Sequence, residues 1–272
     1  MCNRAILPFT IKGTQMGRDI VIGSGPSGVA AASSLLDRGR DVLMLDVGHR
    51  MEKPSEDLRH RLGECEPDNW AIADREAATT MRRSERSDTM HPFGSDFLFR
   101  APDHESSWQD ASSVHALRPS FAKGGLSNGW GASVLPYRQS DMDGWPLTAD
   151  DLKPHYHATA LLAGIAARRD ALADFFPAHA IDVERPLPMS LQSRKLEDIL
   201  NRSRPALDRL GVSIGASRQA VADGCRQCAM CLSGCPYGLI FQAGDVVDRL
   251  VAEQGLDYQA GIYVTEIGRA HV

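Results

Sequence analysis

The sequence has no strong charge of one sign and no long apolar run. Its formal net charge is -5 over 272 residues, so it offers no basic surface, and we expect no nucleic-acid partner. No stretch approaches the roughly 18 apolar residues that a membrane-spanning helix needs, and the N-terminus lacks the hydrophobic core of a signal peptide. These absences predict a cytoplasmic protein without a membrane span.

The most informative stretch runs from residue 19 to residue 48 and reads DIVIGSGPSGVAAASSLLDRGRDVLMLDVG. Its apolar runs predict a first strand, buried on both faces, and a second strand, with a helix between them. The predicted bounds are Asp19–Ile22 for the first strand, Ser27 to about Arg38 for the helix and Asp41–Asp46 for the second strand. This order is typical of the unit that binds the diphosphate of a dinucleotide.

The turn after the first strand carries a GxGxxG motif with a separate reason for each glycine. Gly23 permits a tight turn, Gly25 lets the backbone approach a pyrophosphate, and Gly28 lets the helix lie close to the strand. The N–H groups at the helix start would face the phosphates, and Asp46 lies where a carboxylate accepts hydrogen bonds from ribose hydroxyls. The motif predicts dinucleotide binding, but the turn alone leaves FAD and NAD open.

A second glycine-rich stretch, FAKGGLSNGWGASVLPY, covers residues 121–137. It has little side chain to pack, so it suits a backbone that lies against a flat ligand; the alternative is a surface loop. Thr148 and Asp151 then predict a capping box that opens a helix over 151–167. A second helical pattern covers 189–210 and is interrupted at Pro205.

Four of the six cysteines lie within eleven residues, as Cys225, Cys228, Cys231 and Cys235 followed by Pro236. The spacing C-x2-C-x2-C-x3-C-P is that of bacterial ferredoxins and predicts an iron–sulfur cluster. Zinc is the competing metal, although structural zinc sites usually draw two close pairs from separated segments. Inert thiols are the third alternative, while disulfides are not expected without an export signal.

Other candidate residues have plain interpretations. We expect the polar region 49–120 to be a solvated insertion with one helix over 69–83. Its histidines are expected at the surface, as are those near the start of the 151–167 helix. These residues are His91, His104, His115, His155 and His157.

Taken together, the GxGxxG unit, the GGxSxxW segment at 124–130 and the WPLTADDLKPHY segment at 145–156 resemble the FAD-dependent GMC (glucose-methanol-choline) oxidoreductases. The resemblance implies an α/β fold with a Rossmann-like FAD-binding domain and the beginning of a second, substrate-binding domain. It implies an ADP site formed by Gly23, Ser24, Gly25, Ser27, Gly28 and Asp46. It places Gly125, Ser127, Asn128 and Trp130 beside the flavin and Val264 beside the adenine. Gly129 stands where related pyranose oxidases carry a flavin-linking histidine, so the FAD would be non-covalent.

The resemblance also implies a reaction, in which a dehydrogenase transfers hydride from a CH–OH group of an alcohol or sugar to the flavin N5. In some relatives a cluster bound by such cysteines takes electrons from the flavin, which implies an electron-acceptor protein as a partner. The catalytic histidine of the family would lie beyond this chain, so we interpret the chain as an N-terminal fragment that is inactive alone. The last six residues, IGRAHV, match what a common sequencing adapter encodes and are interpreted as an artefact.

These expectations give a domain map and two competing functions. The map is a disordered arm over 1–15, the first part of the FAD domain over 16–150, a mostly helical substrate region over 151–224, and the cysteine loop with a return to the FAD domain over 225–272. One alternative is an NAD-linked or disulfide-type flavoprotein, which should show a second GxGxxG that the sequence lacks. The other is an electron-transfer module with flavin and iron–sulfur groups.

Overall fold

The computed structural model describes residues 17–79, 81–83, 88–100, 119–177 and 185–268. The predicted arm over 1–15, His104, His115 and the final residues 269–272 lie outside the described residues. Over the described ranges the chain forms seven α-helices and five strands. The helices are α1 (Pro26–Leu36), α2 (Lys53–Gly63), α3 (Ile72–Thr79), α4 (Ala149–Ala163), α5 (Leu191–Arg202), α6 (Arg204–Arg209) and α7 (Ala243–Gln254). The strands are β1 (Arg18–Ile22), β2 (Asp41–Leu45), β3 (Met81–Arg83), β4 (Asp88–Met90) and β5 (Asp257–Gln259).

A small parallel sheet organises the molecule, with strand order β1-β2-β5. Ile20 lies beside Leu43 in the first pair, and Leu45 lies beside Gln259 in the second. Parallel neighbours need a crossover, and α1 supplies it between β1 and β2. The predicted strand–helix–strand unit and the mixed α/β class are therefore confirmed.

The core of this unit lies between the sheet and two helices, α1 and α7. Small residues let α1 pack closely, and Val29 and Ala32 are fully buried. Val247 and Leu250 of α7 pack into the same cluster as Met44 of β2. This packing fixes the end of β2 relative to the start of both helices, which is where the candidate site lies.

The prediction that β1 is buried on both faces is wrong. Only Val21 is buried, whereas Ile20 and Ile22 are 47% and 45% exposed. In the described sheet β1 is an edge strand, and its side chains alternate between the two faces. Val21 packs in one cluster with α1 and α7. On the other face the described residues do not cover Ile20 and Ile22, although Leu43, which lies beside Ile20 in β2, is buried.

The region 49–120 contains more structure than predicted. The helix expected over 69–83 is the shorter α3, and α2 was not predicted at all. Its sequence is polar, and only Leu58 and Leu62 are buried, four residues apart on one face. Trp70 packs in one cluster with these leucines and donates from Nε1 to the Leu62 carbonyl at 2.8 Å.

The helical predictions after residue 148 hold with small changes of bounds. Thr148 and Asp151 form the predicted capping box, and α4 ends at Ala163 before Gly164, whose φ is 59°. The predicted 189–210 helix is broken at Ser203 into α5 and α6, with Pro205 in the first turn of α6. His155 and His157 are exposed, as expected.

Two predicted elements were too long. The first helix ends at Leu36 rather than Arg38, and a turn then leads to Gly39 at φ 70°. The second strand, expected over Asp41–Asp46, ends at Leu45. None of the helices within the described ranges is long and apolar enough to cross a membrane.

Candidate functional site

The turn between β1 and α1 has the backbone that its glycines predict. Gly23 has φ 87°, which favours glycine. A Cβ on Gly28 would lie less than 3.0 Å from the carbonyl oxygen of Gly23, so the helix can approach the turn only because residue 28 is glycine. A Cβ on Gly25 would meet nothing within 4 Å. Gly25 therefore borders open space rather than the protein core.

The start of α1 borders the same open space. Gly25 is the N-cap residue and contributes no side-chain cap, and the first turn contains Pro26 and no acidic residue. Ser27 is exposed at this end of the helix. The first N–H groups of a helix have no partner within it, and the helix dipole gives this end a partial positive charge. The arrangement suits an anion such as a phosphate group.

The second glycine segment lies directly against this turn, although 100 residues separate them. The Gly124 N–H donates to Ser24 Oγ at 2.8 Å. A Cβ on Gly125 would lie 3.3 Å from the Gly25 Cα. Both Gly124 and Gly125 have positive φ, at 86° and 58°. The two predicted ligand segments thus meet at Ser24 and Gly25.

The polar side chains of the second segment hold the loop itself. Ser127 is buried, donates to the Gly124 carbonyl at 2.6 Å and accepts from the Ala243 N–H at 2.8 Å. Asn128 donates to the carbonyls of Lys123 and Gly125 at 2.8 and 2.7 Å. The bond between Ser127 and Ala243 joins the loop to the start of α7, and the others hold the loop internally. The segment therefore presents backbone, rather than these side chains, to a neighbouring ligand.

The Trp130 side chain, like those of Ser127 and Asn128, is held by a hydrogen bond to the backbone. Its Nε1 donates to the Phe241 carbonyl at 3.1 Å, and the side chain is half-buried. The bond ties the end of the glycine segment to the residues that precede α7.

Asp46 lies at the carboxyl end of β2 beside the turn, and only 8% of it is exposed. Its Oδ2 accepts hydrogen bonds from Ser24 Oγ and from Tyr258 Oη, the latter at 3.0 Å. Burial raises the pKa of the Asp46 carboxyl above its ordinary value, while the bonds from Ser24 and Tyr258 act in the opposite direction. Burial and the negative charge of Asp46 raise the pKa of the Tyr258 phenol. Tyr258 is therefore a protonated donor to a buried acid.

The chain after β5 continues along the same edge. The N–H groups of Gly261 and Ile262 donate to the carbonyls of Val47 and Asp46 at 3.0 and 2.9 Å. Val264, the predicted adenine residue, follows two residues later and is half-buried. The structure thus brings the turn, Asp46 and the segment leading to Val264 to one edge of the sheet.

A cavity of about 290 Å³ adjoins this edge, and its lining includes two residues that the sequence analysis missed, His49 and Lys123. Residue 49 pairs with the second segment through bonds to Phe121 and Lys123, both of 2.9 Å. Lys123 is 6% exposed and forms an ion pair with Asp248. Their positions could have indicated both residues, since His49 lies three residues after Asp46 and Lys123 lies directly before Gly124.

The cysteine loop is also compact. Cys235 is buried and accepts the Leu239 N–H at 3.4 Å, while Cys225 and Cys228 are half-buried and Cys231 is exposed. Burial raises the pKa of Cys228 and of Cys231, and the neighbouring thiols raise both further. The four sulfurs are therefore close enough to interact electrostatically.

The backbone of this loop turns N–H groups toward its sulfurs. Gln227 and Ala229 have φ of 56° and 60°, on either side of Cys228, and the Met230 N–H is a donor to the Cys228 thiol. Alternation of left- and right-handed residues forms a concavity that binds anions, including iron–sulfur clusters. Within the described ranges, however, no three His, Cys, Asp or Glu side chains are placed to hold a metal ion. Cysteine thiols are suitable ligands for a cluster, but in this structure they are not arranged around a common site.

No protein-family model matches this sequence, and a search of curated proteins finds no match.

Proposed function

We propose that this chain is the FAD-binding part of a dehydrogenase that oxidises a CH–OH group of an alcohol or sugar. The observation that carries the proposal is the junction of the GxGxxG turn with the GGxS segment, where the Gly124 N–H donates to Ser24 Oγ and a Cβ on Gly125 would lie 3.3 Å from the Gly25 Cα. Two glycine segments 100 residues apart converge beside a buried acid at a strand end. This is where dinucleotides bind in α/β proteins.

The residues of the junction fit the ADP part of FAD. The uncapped start of α1, with Gly23, Gly25 and Gly28 shaping the turn, would bind the diphosphate. The carboxylate of Asp46 would accept hydrogen bonds from the ribose hydroxyls. The backbone at Gly124 and Gly125, held by Ser127 and Asn128, would continue along the cofactor toward its flavin.

The proposed reaction rests on the resemblance to GMC oxidoreductases. When bound, the flavin supplies a hydride acceptor at N5, which is chemistry of the cofactor rather than of the protein. The role of this chain is to hold the cofactor and set its orientation. We assign no residue of the described site as the base that removes the hydroxyl proton.

Titration of the purified 272-residue chain with FAD, followed by flavin fluorescence, tests the proposal. We expect FAD to bind, ADP to compete with it, and NAD to compete only weakly. Equal binding of NAD and FAD would favour an NAD-linked enzyme. A chain that is folded by circular dichroism but binds neither nucleotide would reject the dinucleotide site.

Replacing Asp46 by alanine should weaken FAD binding by about 1 to 3 kcal/mol, because it removes the carboxylate that would accept the ribose hydrogen bonds. The measurement is the ratio of the two Kd values from the same titration. Asp37→Ala is the matched control, since Asp37 is an exposed carboxylate at the other end of α1. An unchanged Kd in Asp46→Ala would show that the ribose lies elsewhere.

We also propose that Cys225, Cys228, Cys231 and Cys235 bind an iron–sulfur cluster that passes electrons to an acceptor protein. The supporting observations are the ferredoxin spacing and the N–H groups directed at the Cys228 and Cys235 sulfurs. Such hydrogen bonds are one of the means by which proteins set the potential of a cluster. A bound cluster would supply one-electron transfer.

Anaerobic purification should yield about three to four iron atoms per chain, with matching acid-labile sulfide and an EPR signal after reduction or oxidation. Cys228→Ser should lose most of this iron. Cys65→Ser should keep it, because Cys65 is an exposed thiol outside the loop. Zinc in place of iron, or equal iron in Cys228→Ser, would contradict the cluster.

A further inference from the structure

The acceptor that a ribose would use on Asp46 is already occupied. Oδ2 of Asp46 receives the hydroxyl of Ser24 and the hydroxyl of Tyr258. Backbone N–H groups of Ser24 and Val47 add two further hydrogen bonds to the same carboxylate. A buried carboxylate costs free energy unless such bonds satisfy it. In this structure the protein itself supplies all the donors.

The position of the Tyr258 hydroxyl depends on Gly48, which lies three residues after the end of β2. A Cβ on Gly48 would lie 2.5 Å from Tyr258 Oη and 3.0 Å from the Ala260 Cβ. Gly48 has φ 68°, a backbone conformation that glycine adopts most readily. Tyr258 can therefore reach Asp46 because Gly48 has no side chain in its way.

Ser24 and Tyr258 differ in what holds them. Ser24 also accepts the Gly124 N–H at 2.8 Å, so it joins the two glycine segments and cannot leave without separating them. The Tyr258 hydroxyl donates to Asp46 and also lies within hydrogen-bond reach of the Ser24 hydroxyl. Lys123 Nζ lies 5.5 Å from the centroid of the Tyr258 ring, which is cation–π range and holds the ring rather than the hydroxyl. Tyr258 is thus the donor that can be exchanged.

We propose that Tyr258 is a ribose gate, a residue whose hydroxyl satisfies Asp46 in the empty site and is displaced by a ribose hydroxyl when the ADP moiety binds. This inference rests on the proposed nucleotide site. One donor to the buried carboxylate is exchanged for another, so the tyrosine hydroxyl competes with the ribose and lowers the affinity that the bond to Asp46 would otherwise supply. Removing the competing hydroxyl should strengthen nucleotide binding.

The test is calorimetric titration of ADP into the wild-type chain and into Tyr258→Phe. The phenylalanine keeps the ring beside Lys123 and removes only the hydroxyl, so we expect the Kd for ADP to fall about tenfold, the size of one hydrogen bond to a charged group. Tyr156→Phe is the control, because its hydroxyl accepts the Tyr137 N–H at 3.1 Å in another part of the fold. It should leave the Kd unchanged.

A double-mutant cycle gives a second readout. Asp46→Ala should raise the Kd for ADP by about tenfold more in the Tyr258→Phe background than in the wild-type background, because the whole ribose bond is then lost. Additive effects, or an unchanged or higher Kd in Tyr258→Phe, would overturn the gate while leaving the nucleotide site intact. Failure of every variant to bind ADP would instead reject the nucleotide site and the gate with it.

A further test uses the wild-type chain, so that structural effects of a substitution play no part in it. Displacement of Tyr258 from a carboxylate should perturb the tyrosine difference absorption spectrum when ADP binds. ADP binding without this change would also overturn the gate.

Discussion

Gly25→Val should raise the Kd for FAD by more than about 1,000-fold, or roughly 4 kcal/mol, without unfolding the chain. The backbone at Gly25 has φ -65°, which valine adopts without strain. A Cβ there meets no protein atom within 4 Å, so the side chain would fill the open space where the diphosphate is proposed to lie. The loss of binding would come from exclusion of the ligand.

Flavin fluorescence titration measures this loss, and urea unfolding of the cofactor-free chain shows whether the fold is kept. Asp37→Ala again serves as a control for binding. A Gly25→Val chain that retained FAD at the wild-type affinity would show that the diphosphate does not lie against this turn.

Gly28→Ala should destabilise the cofactor-free chain by about 3 kcal/mol, because its methyl group overlaps the Gly23 carbonyl and the helix must move away from the turn. Gly25→Ala is the matched control, with the same added methyl group placed in open space. It should change the free energy of unfolding by less than about 0.5 kcal/mol.

Urea denaturation of the two alanine variants, followed by circular dichroism, separates these roles. If Gly28→Ala and Gly25→Ala were equally stable, close packing of α1 on the turn would not be the reason for glycine at position 28. The pair of variants distinguishes a glycine needed by the fold from one proposed to serve the ligand.

The features that could be predicted from the sequence are those set by neighbouring residues. The tight turn at Gly23, the close approach at Gly28 and the capping box of Thr148 and Asp151 depend on contacts within a few positions. Each of these was placed correctly. The convergence of the turn with the GGxS segment was expected only from the resemblance, since nothing local joins residues 24 and 124.

The features that could not be predicted depend on what lies across the sheet or on a weak local signal. The exposure of Ile20 and Ile22 follows from the position of β1 at the edge of the described sheet, which a strand pattern cannot show. The helix α2 buries only two leucines, too few for a clear period. Tyr258 reaches Asp46 from 212 positions away.

The hydroxyl of Ser24 has a consequence for how the site comes into being during folding. It connects residue 46 to residue 124, and residue 46 also requires residue 258. Closing loops of this length costs entropy before any of these bonds form, so contacts of high sequence separation tend to form slowly. The strand–helix–strand unit can form early from local contacts, but it lacks the partners of Ser24 and Asp46. A nucleotide that binds the finished junction would therefore stabilise segments from across the whole chain.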